Sequence, residues 1–126
     1  EDDLKPVRGN IYKFEQVVLN ILSNAKDALE EKAQRINRDD YQKIITIHGY
    51  NAMDRVCLEI SDSGIGIPPE ILKDVFNPFF TSKPVDKGTG LGLSITYGII
   101  KEMGGNIDIS SEENHYTNVR ITIPAA

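Results

Sequence analysis

Two glycine motifs, Asp62-Ser-Gly-Ile-Gly-Ile67 and Gly88-Thr-Gly-Leu-Gly-Leu93, constrain this chain more than any other feature, with the aromatic box Phe76-Asn-Pro-Phe79 between them. One such motif fits any tight turn, since glycine enters backbone conformations closed to other residues. Two of them, the first headed by an aspartate and the second opening a helix, describe a fold closed around a pocket for a nucleotide. Asn20 and Asn24 upstream complete the pattern, and ATP is the expected ligand.

Bulk properties narrow the alternatives. At 126 residues the chain is one domain, 1–126, with room for a single core. A formal net charge of -5 argues against general nucleic-acid binding and against direct contact with an anionic membrane, but not against a nucleotide held by a few local donors. The single cysteine, Cys57, leaves no internal disulfide and suits a reducing cytoplasm; in its apolar, strand-like run it reads as a structural thiol. No apolar run reaches the ~20 residues that span a bilayer, and no signal peptide is visible.

Asn10 reads as the N-cap of a long helix running to about Arg35, with Phe14, Val17, Val18, Ile21, Leu22, Ala25, Ala28 and Leu29 on its apolar face. Asn37 to Asp40 is a polar turn. Lys43–Gly49 and Arg55–Ser61 read as paired strands joined around Asn51–Asp54. Pro68-Pro69 opens a short helix through about Val75, and residues 77 to 90 form an aperiodic loop. A helix follows from about Leu91 to Met103, stopped by Gly104-Gly105, and Asn106–Ser110 and Asn118–Ile123 are two final strands. This order predicts an α+β sandwich, with helices on one face of a largely antiparallel sheet.

A carboxylate at the end of a strand accepts the exocyclic amine of adenine, the role expected of Asp62. Gly64 and Gly66 would let the backbone lie against the flat base; the same Asp-Ser-Gly run also occurs in turns without a ligand. The second motif leads into a helix whose N-terminal N–H groups suit phosphates. Lys83 is placed to add charge at the β- or γ-phosphate, whereas Lys87 reads as a solvated loop cation. Asn20 and Asn24, four apart, share a helix face, with Asp27 three residues on. Such oxygen donors suit Mg²⁺, which keeps several waters and bridges to phosphates, and Asn24 is the expected direct ligand.

Taken together, these motifs resemble the catalytic and ATP-binding domain of bacterial sensor histidine kinases, in the superfamily shared with DNA gyrase, Hsp90 and MutL. Gln16-Val-Val-Leu-Asn-Ile-Leu-Ser-Asn-Ala25 resembles the N box, Asp62–Ile67 the first G box, Phe76–Phe79 the F box and Gly88–Leu93 the second G box. Phe79-Phe-Thr-Ser-Lys83 and Ser94-Ile-Thr-Tyr-Gly-Ile-Ile-Lys-Glu-Met-Gly-Gly105 are similar to the nitrogen-regulator type. The resemblance implies the Bergerat fold, a two-layer sandwich of a mixed, mostly antiparallel sheet covered on one face by three helices. ATP would lie beneath a lid between the F box and the second G box. It further implies that Asn24 binds Mg²⁺ and that Asp62 reads the adenine. Ile67, Gly88, Thr89, Gly90, Leu91, Gly92 and Leu93 would line the nucleotide, and Thr117, just before the last strand, would bond near the base. Tyr116 stands where that strand usually follows a glycine. Phe76, Phe79 and Phe80 would contact the dimerisation domain, or anchor the lid as core residues.

Hydrolytic members of the superfamily carry a glutamate base where this chain has Asn20, and an amide cannot take a proton from water. Neutral imidazole is already nucleophilic, so the pattern favours phosphotransfer to histidine through positioning and charge neutralisation. His48, in a strand, and His115, in a turn, lack the acidic neighbour of the family's acceptor. The chain therefore reads as a monomeric catalytic domain of a longer, two-component kinase. The kinase's dimerisation and phosphoacceptor domain would be its direct partner and a response regulator the next one. A nucleotide-binding module that signals without chemistry, and a superfamily ATPase or serine kinase, remain as alternatives.

Overall fold

The computed structural model of the chain describes residues 4–36, 41–72 and 92–126. Its elements are α1 (Ile11–Ile36), β1 (Ile45–Ala52), β2 (Arg55–Asp62), α2 (Pro69–Leu72), α3 (Gly92–Glu102), β3 (Asn106–Glu112) and β4 (Tyr116–Pro124). The order matches the sequence expectation; the turn at 37–40, the loop at 77–90 and the continuation of α2 towards Val75 lie outside the described residues.

α1 starts where its cap requires. The Asn10 side-chain oxygen accepts the N–H groups of Tyr12 (2.9 Å) and Lys13 (3.2 Å), satisfying donors the first turn leaves without helical partners. Val17, Ile21, Ala25 and Leu29, each four residues apart, form the buried stripe. α3 ends in a Schellman motif: Gly105 N–H bonds to the Ile100 carbonyl and Gly104 N–H to that of Lys101, both at 3.0 Å, with Gly104 at φ 76°.

The strands lie in the order β1-β2-β4-β3, and every described pair is antiparallel, including the isolated Val7–Ala125 bridge. The expected mixed sheet therefore has no parallel pair among the described residues. The crossover through α2 and α3 does return β3 parallel to β2, but β4, its hairpin mate, sits between the two. β3 and β4 each run further towards their shared hairpin than expected, so Thr117 lies inside β4 rather than before it.

Alternation divides the sheet cleanly. One face carries Leu58, Ile60, Ile107, Ile109, Val119, Ile121 and Ile123, packed against Val17 and Ile21 of α1 and Ile99 and Ile100 of α3. α1 lies over β2, and α2 and α3 over β3, so the helices share one face as expected. The opposite face is polar, with Glu59 flanked by His48 and Arg120, and Arg120 by Asp108, in cross-strand register. β1 reaches beyond the helical layer: Ile45 and Ile47 point to the helix side yet are 38% and 56% exposed. Cys57 is buried beside Thr122, a structural thiol as expected.

Because α1 carries the candidate site, its cap is worth testing. Asn10→Ala should lower domain stability by about 1 kcal/mol and Asn10→Ser should restore it, both read by urea denaturation. An unchanged midpoint in Asn10→Ala would show that α1 draws nothing from this cap.

Candidate functional site

At one end of the packed face the apolar pattern stops. The rung Ile60–Val119–Ile109 is followed, on the same side of the sheet, by Asp62–Thr117–Ser111. Asp62 and Thr117 are each only 8% exposed. A buried carboxylate is costly without partners, and the Asp62 Oδ1 atom accepts the Gly64 N–H at 2.9 Å. Burial pushes the Asp62 carboxyl above its ordinary value, while the Gly64 N–H and the charge of Lys32 hold it down.

The first glycine loop is tied to the body of the domain along its length. Ser63 N–H bonds to the Ile44 carbonyl (3.1 Å), Ile44 N–H bonds back to the Ser63 Oγ (3.0 Å), and the Tyr41 hydroxyl donates to the Ser63 carbonyl (2.8 Å). Ile65 N–H reaches the Ala28 carbonyl of α1 (3.3 Å), and the Ile65 carbonyl accepts Asn114 N–H from the β3–β4 turn. Ile67 N–H donates to the Ser111 Oγ at 2.7 Å. Lys32 closes the ring, donating to the Asn114 carbonyl at 2.9 Å with its ammonium 5.1 Å from the Tyr41 ring centre.

These contacts revise the expected reason for the glycines. A Cβ on Gly64 would stand 2.7 Å from the Cβ of Ala28, and one on Gly66 would strike the Glu112 carbonyl, where φ is 71°. Both positions need glycine because α1 and β3 press against the loop, whatever lies on its other side.

The helix side of the site follows from the period of α1. Asn20, Asn24, Ala28 and Lys32 form one i, i+4 row beside the buried stripe. The row is anchored along its length: Asn20 Nδ2 donates to the buried Thr96 Oγ1 of α3 (3.4 Å), Ala28 meets Gly64, and Lys32 holds Asn114. Asn24 therefore lies between the helix that follows the second glycine motif and the loop of the first. Asn24 and Asp27 are half-buried. No cluster of three or more His, Cys, Asp or Glu residues that could hold a metal occurs among the described residues. Oxygen donors of this kind fit Mg²⁺, which takes one or two protein ligands and completes its shell with water and phosphate.

Of the expected site residues, Asn20, Asn24, Asp27, Asp62, Gly64, Gly66, Ile67 and Thr117 converge on this end of the fold. α3 begins at Gly92, with Leu93 in its first turn. Phe76, Phe79, Phe80, Lys83, Lys87, Gly88, Thr89, Gly90 and Leu91 lie outside the described residues. His48 and His115 are exposed, the first stacked near Tyr50 and the second 3.6 Å from the Glu112 carboxylate. Two participants were not foreseen. Ser111 carries a hydroxyl where Ile107 and Ile109 set an apolar alternation, a signal the sequence did hold. Lys32 carried no such signal, since its partners come from distant segments.

Residues 9–126 match the family described as histidine kinase-, DNA gyrase B- and HSP90-like ATPase. The chain is 43% identical over 128 residues to the sensor kinase CckA of Brucella abortus, an alignment covering 97% of this chain and 13% of CckA. It is 37% identical over 114 residues to the sensory histidine kinase/phosphatase NtrB of Vibrio alginolyticus, covering 83% of this chain and 30% of NtrB. Among solved structures it resembles the catalytic domain of histidine kinase ThkA, with a TM-score of 0.75 and 32% identity over 94% of this chain and 71% of that one. The chain thus spans less than a third of the length of these two curated relatives. No helix among the described residues is long and apolar enough to cross a membrane. The chain belongs to the histidine kinase-, DNA gyrase B- and HSP90-like ATPase family, and its relatives there include sensor histidine kinases.

Proposed function

We propose that this chain is the catalytic domain of a two-component sensor histidine kinase, holding Mg-ATP and delivering its γ-phosphoryl group to a histidine on a partner dimerisation domain. The observation that carries the proposal is the convergence of a buried carboxylate, Asp62, with Asn24 at one end of the sandwich, on either side of a tightly held glycine loop.

Each residue has a role in this reading. Asp62 accepts the adenine amine through the oxygen its Gly64 bond leaves available, and Thr117 lies beside it. Gly64, Gly66 and Ile67 hold the loop that bounds the base. Asn24, with Asp27 one turn on, would hold Mg²⁺ through side-chain oxygen, and the ion when bound would supply neutralising charge at the phosphates. The γ-phosphoryl would pass from the β–γ bridging oxygen to an imidazole nitrogen, with ADP as the leaving group. Asn20, held to Thr96, offers no general base and so favours an imidazole acceptor over water. From the sequence pattern, Lys83 and the segment Gly88, Thr89, Gly90, Leu91, Gly92 and Leu93 receive the phosphates, and Phe76, Phe79 and Phe80 meet the partner domain. A response regulator would take the phosphoryl group onward from the partner histidine. The domain itself would act in the cytoplasm, as a monomer, without contacting nucleic acid.

The first test is calorimetric titration with a non-hydrolysable ATP analogue, with and without Mg²⁺. Asp62→Ala should weaken binding by roughly 30-fold or more, since a buried site built to hydrogen-bond an amine discriminates strongly against losing that bond. Asn24→Ala should retain nucleotide but lose the gain from Mg²⁺. Labelled phosphate should then pass from ATP to a supplied phosphoacceptor hairpin, without steady release into water. A folded wild type that binds no nucleotide would sink the proposal, and sustained phosphate release without transfer would replace it with an ATPase.

Asp62 also links function to stability. Its folded pKa is raised, so the folded domain binds that proton more tightly than the unfolded chain does. The stability it contributes is present below the unfolded value of 3.8 and is lost as pH rises through the higher folded value. At pH 7 Asp62→Asn should therefore raise the Tm of the nucleotide-free domain by roughly 2–5 °C while weakening ATP binding. The thermal gain should disappear near pH 3. A Tm lowered at pH 7 would mean that the carboxylate stabilises the fold.

A further inference from the structure

The Ser111 hydroxyl touches three hydrogen-bonding groups at the edge of the site. A serine hydroxyl has one proton to donate and two lone pairs with which to accept. The Ser111 Oγ lies 2.8 Å from the Tyr116 carbonyl oxygen, which can only accept, so its proton is committed there. It lies 2.7 Å from the Ile67 N–H, which can only donate, so one lone pair is committed to the glycine loop. The remaining lone pair faces the Thr117 Oγ1 at 3.2 Å. With Ser111 unable to donate again, the hydroxyl proton of Thr117 must point at Ser111. Thr117 is then left with lone pairs alone to offer a ligand.

Thr117 stands opposite Asp62 in the β2–β4 register, and both are buried on the same face of the sheet. The two side chains of this rung that face the ligand therefore both present acceptors, the Asp62 carboxylate and the Thr117 oxygen. A 6-amino purine brings two N–H donors to such a site. A 6-oxo purine puts a carbonyl oxygen where the amine would stand, and its one neighbouring donor, the N1–H, cannot partner both acceptors, a costly arrangement when desolvated. We propose that Ser111 is a positioning residue that fixes the Thr117 hydroxyl as an acceptor and thereby sets the preference for 6-amino over 6-oxo purine nucleotides. The assignment rests on the proposed function, which places the adenine of ATP at Asp62. Asp62 alone would repel a 6-oxo group; Ser111 removes the escape by which Thr117 could turn and donate to it.

The test is the ratio of ITP to ATP dissociation constants for the 126-residue chain, by competition against a fluorescent ATP analogue. ITP suits the purpose because its base differs from adenine only at position 6 and the adjoining ring nitrogen. Ser111→Ala should cut the preference for ATP by roughly 3- to 10-fold, the worth of one hydrogen bond, mainly through tighter ITP binding. Ser111→Thr, which keeps a hydroxyl on a strand residue, should restore the preference. In a Thr117→Val background Ser111→Ala should leave the ratio unmoved, since no hydroxyl remains to be oriented. If Ser111→Ala instead weakens ATP and ITP equally, the residue only braces Ile67 and the assignment is overturned. A wild type that binds ATP with no preference over ITP overturns it as well. A folded wild type that binds neither nucleotide overturns the proposed function, and this assignment with it.

Discussion

Between Ala28 on α1 and Gly64 on the loop after β2 there is no space for another carbon atom, and much of the site depends on that contact. Residues on a helix and at the end of a strand share a cleft only if the helix approaches the loop closely, and here two small residues permit it. The Ile65 N–H to Ala28 carbonyl bond joins the backbones at the same place. One turn back along α1 stands Asn24, and two residues before Gly64 stands Asp62. A larger residue at Gly64 would push α1 from the loop and move the two groups apart before it touched any ligand.

The second determinant is the point at which the sheet's apolar face ends. Alternation makes one side of β2, β4 and β3 a continuous hydrophobic surface, and the core needs that side covered. At the rung of Asp62, Thr117 and Ser111 the pattern turns polar while Asp62 and Thr117 remain buried and Ser111 half-buried. Buried polar groups must find partners. Here one another and the glycine loop supply them: Gly64 for Asp62, Ile67 and Tyr116 for Ser111, and Ser111 for Thr117. The loop is held by the polar groups that would read the ligand. A site built this way needs little ordering when nucleotide arrives, which favours affinity.

Most of the architecture was legible in the sequence because the local and global signals agree. The Asn10 cap, the four-residue apolar spacing of α1, the Gly104-Gly105 stop and the alternating strands each pointed one way, and the structure follows them. What escaped depended on contacts between distant segments. Ser110-Ser111 reads as a strand end, since serine favours turns, yet β3 continues because Tyr116 and Thr117 extend the ladder opposite. The same pairing draws Thr117 into β4. The absence of a parallel pair among the described residues turns on which neighbour β4 chooses, and no local pattern encodes that choice. At the site the residue types were readable but their reasons were not: Gly64 and Gly66 are set by Ala28 and Glu112, far away in sequence. Lys32, tied to Tyr41 and Asn114, reads along the chain as an ordinary helix cation.

If the base end of the site is assembled by protein packing alone, it must exist before nucleotide binds. Native-state hydrogen exchange of the nucleotide-free domain tests this directly at the amides of Gly64, Ile65 and Ile67, bonded to Asp62, Ala28 and Ser111 respectively. Protection approaching that of the central strands β2 and β4 is the expected result. Exchange at the rate of an open chain, with protection gained only when ATP is added, would mean that the nucleotide builds the loop, contradicting the account.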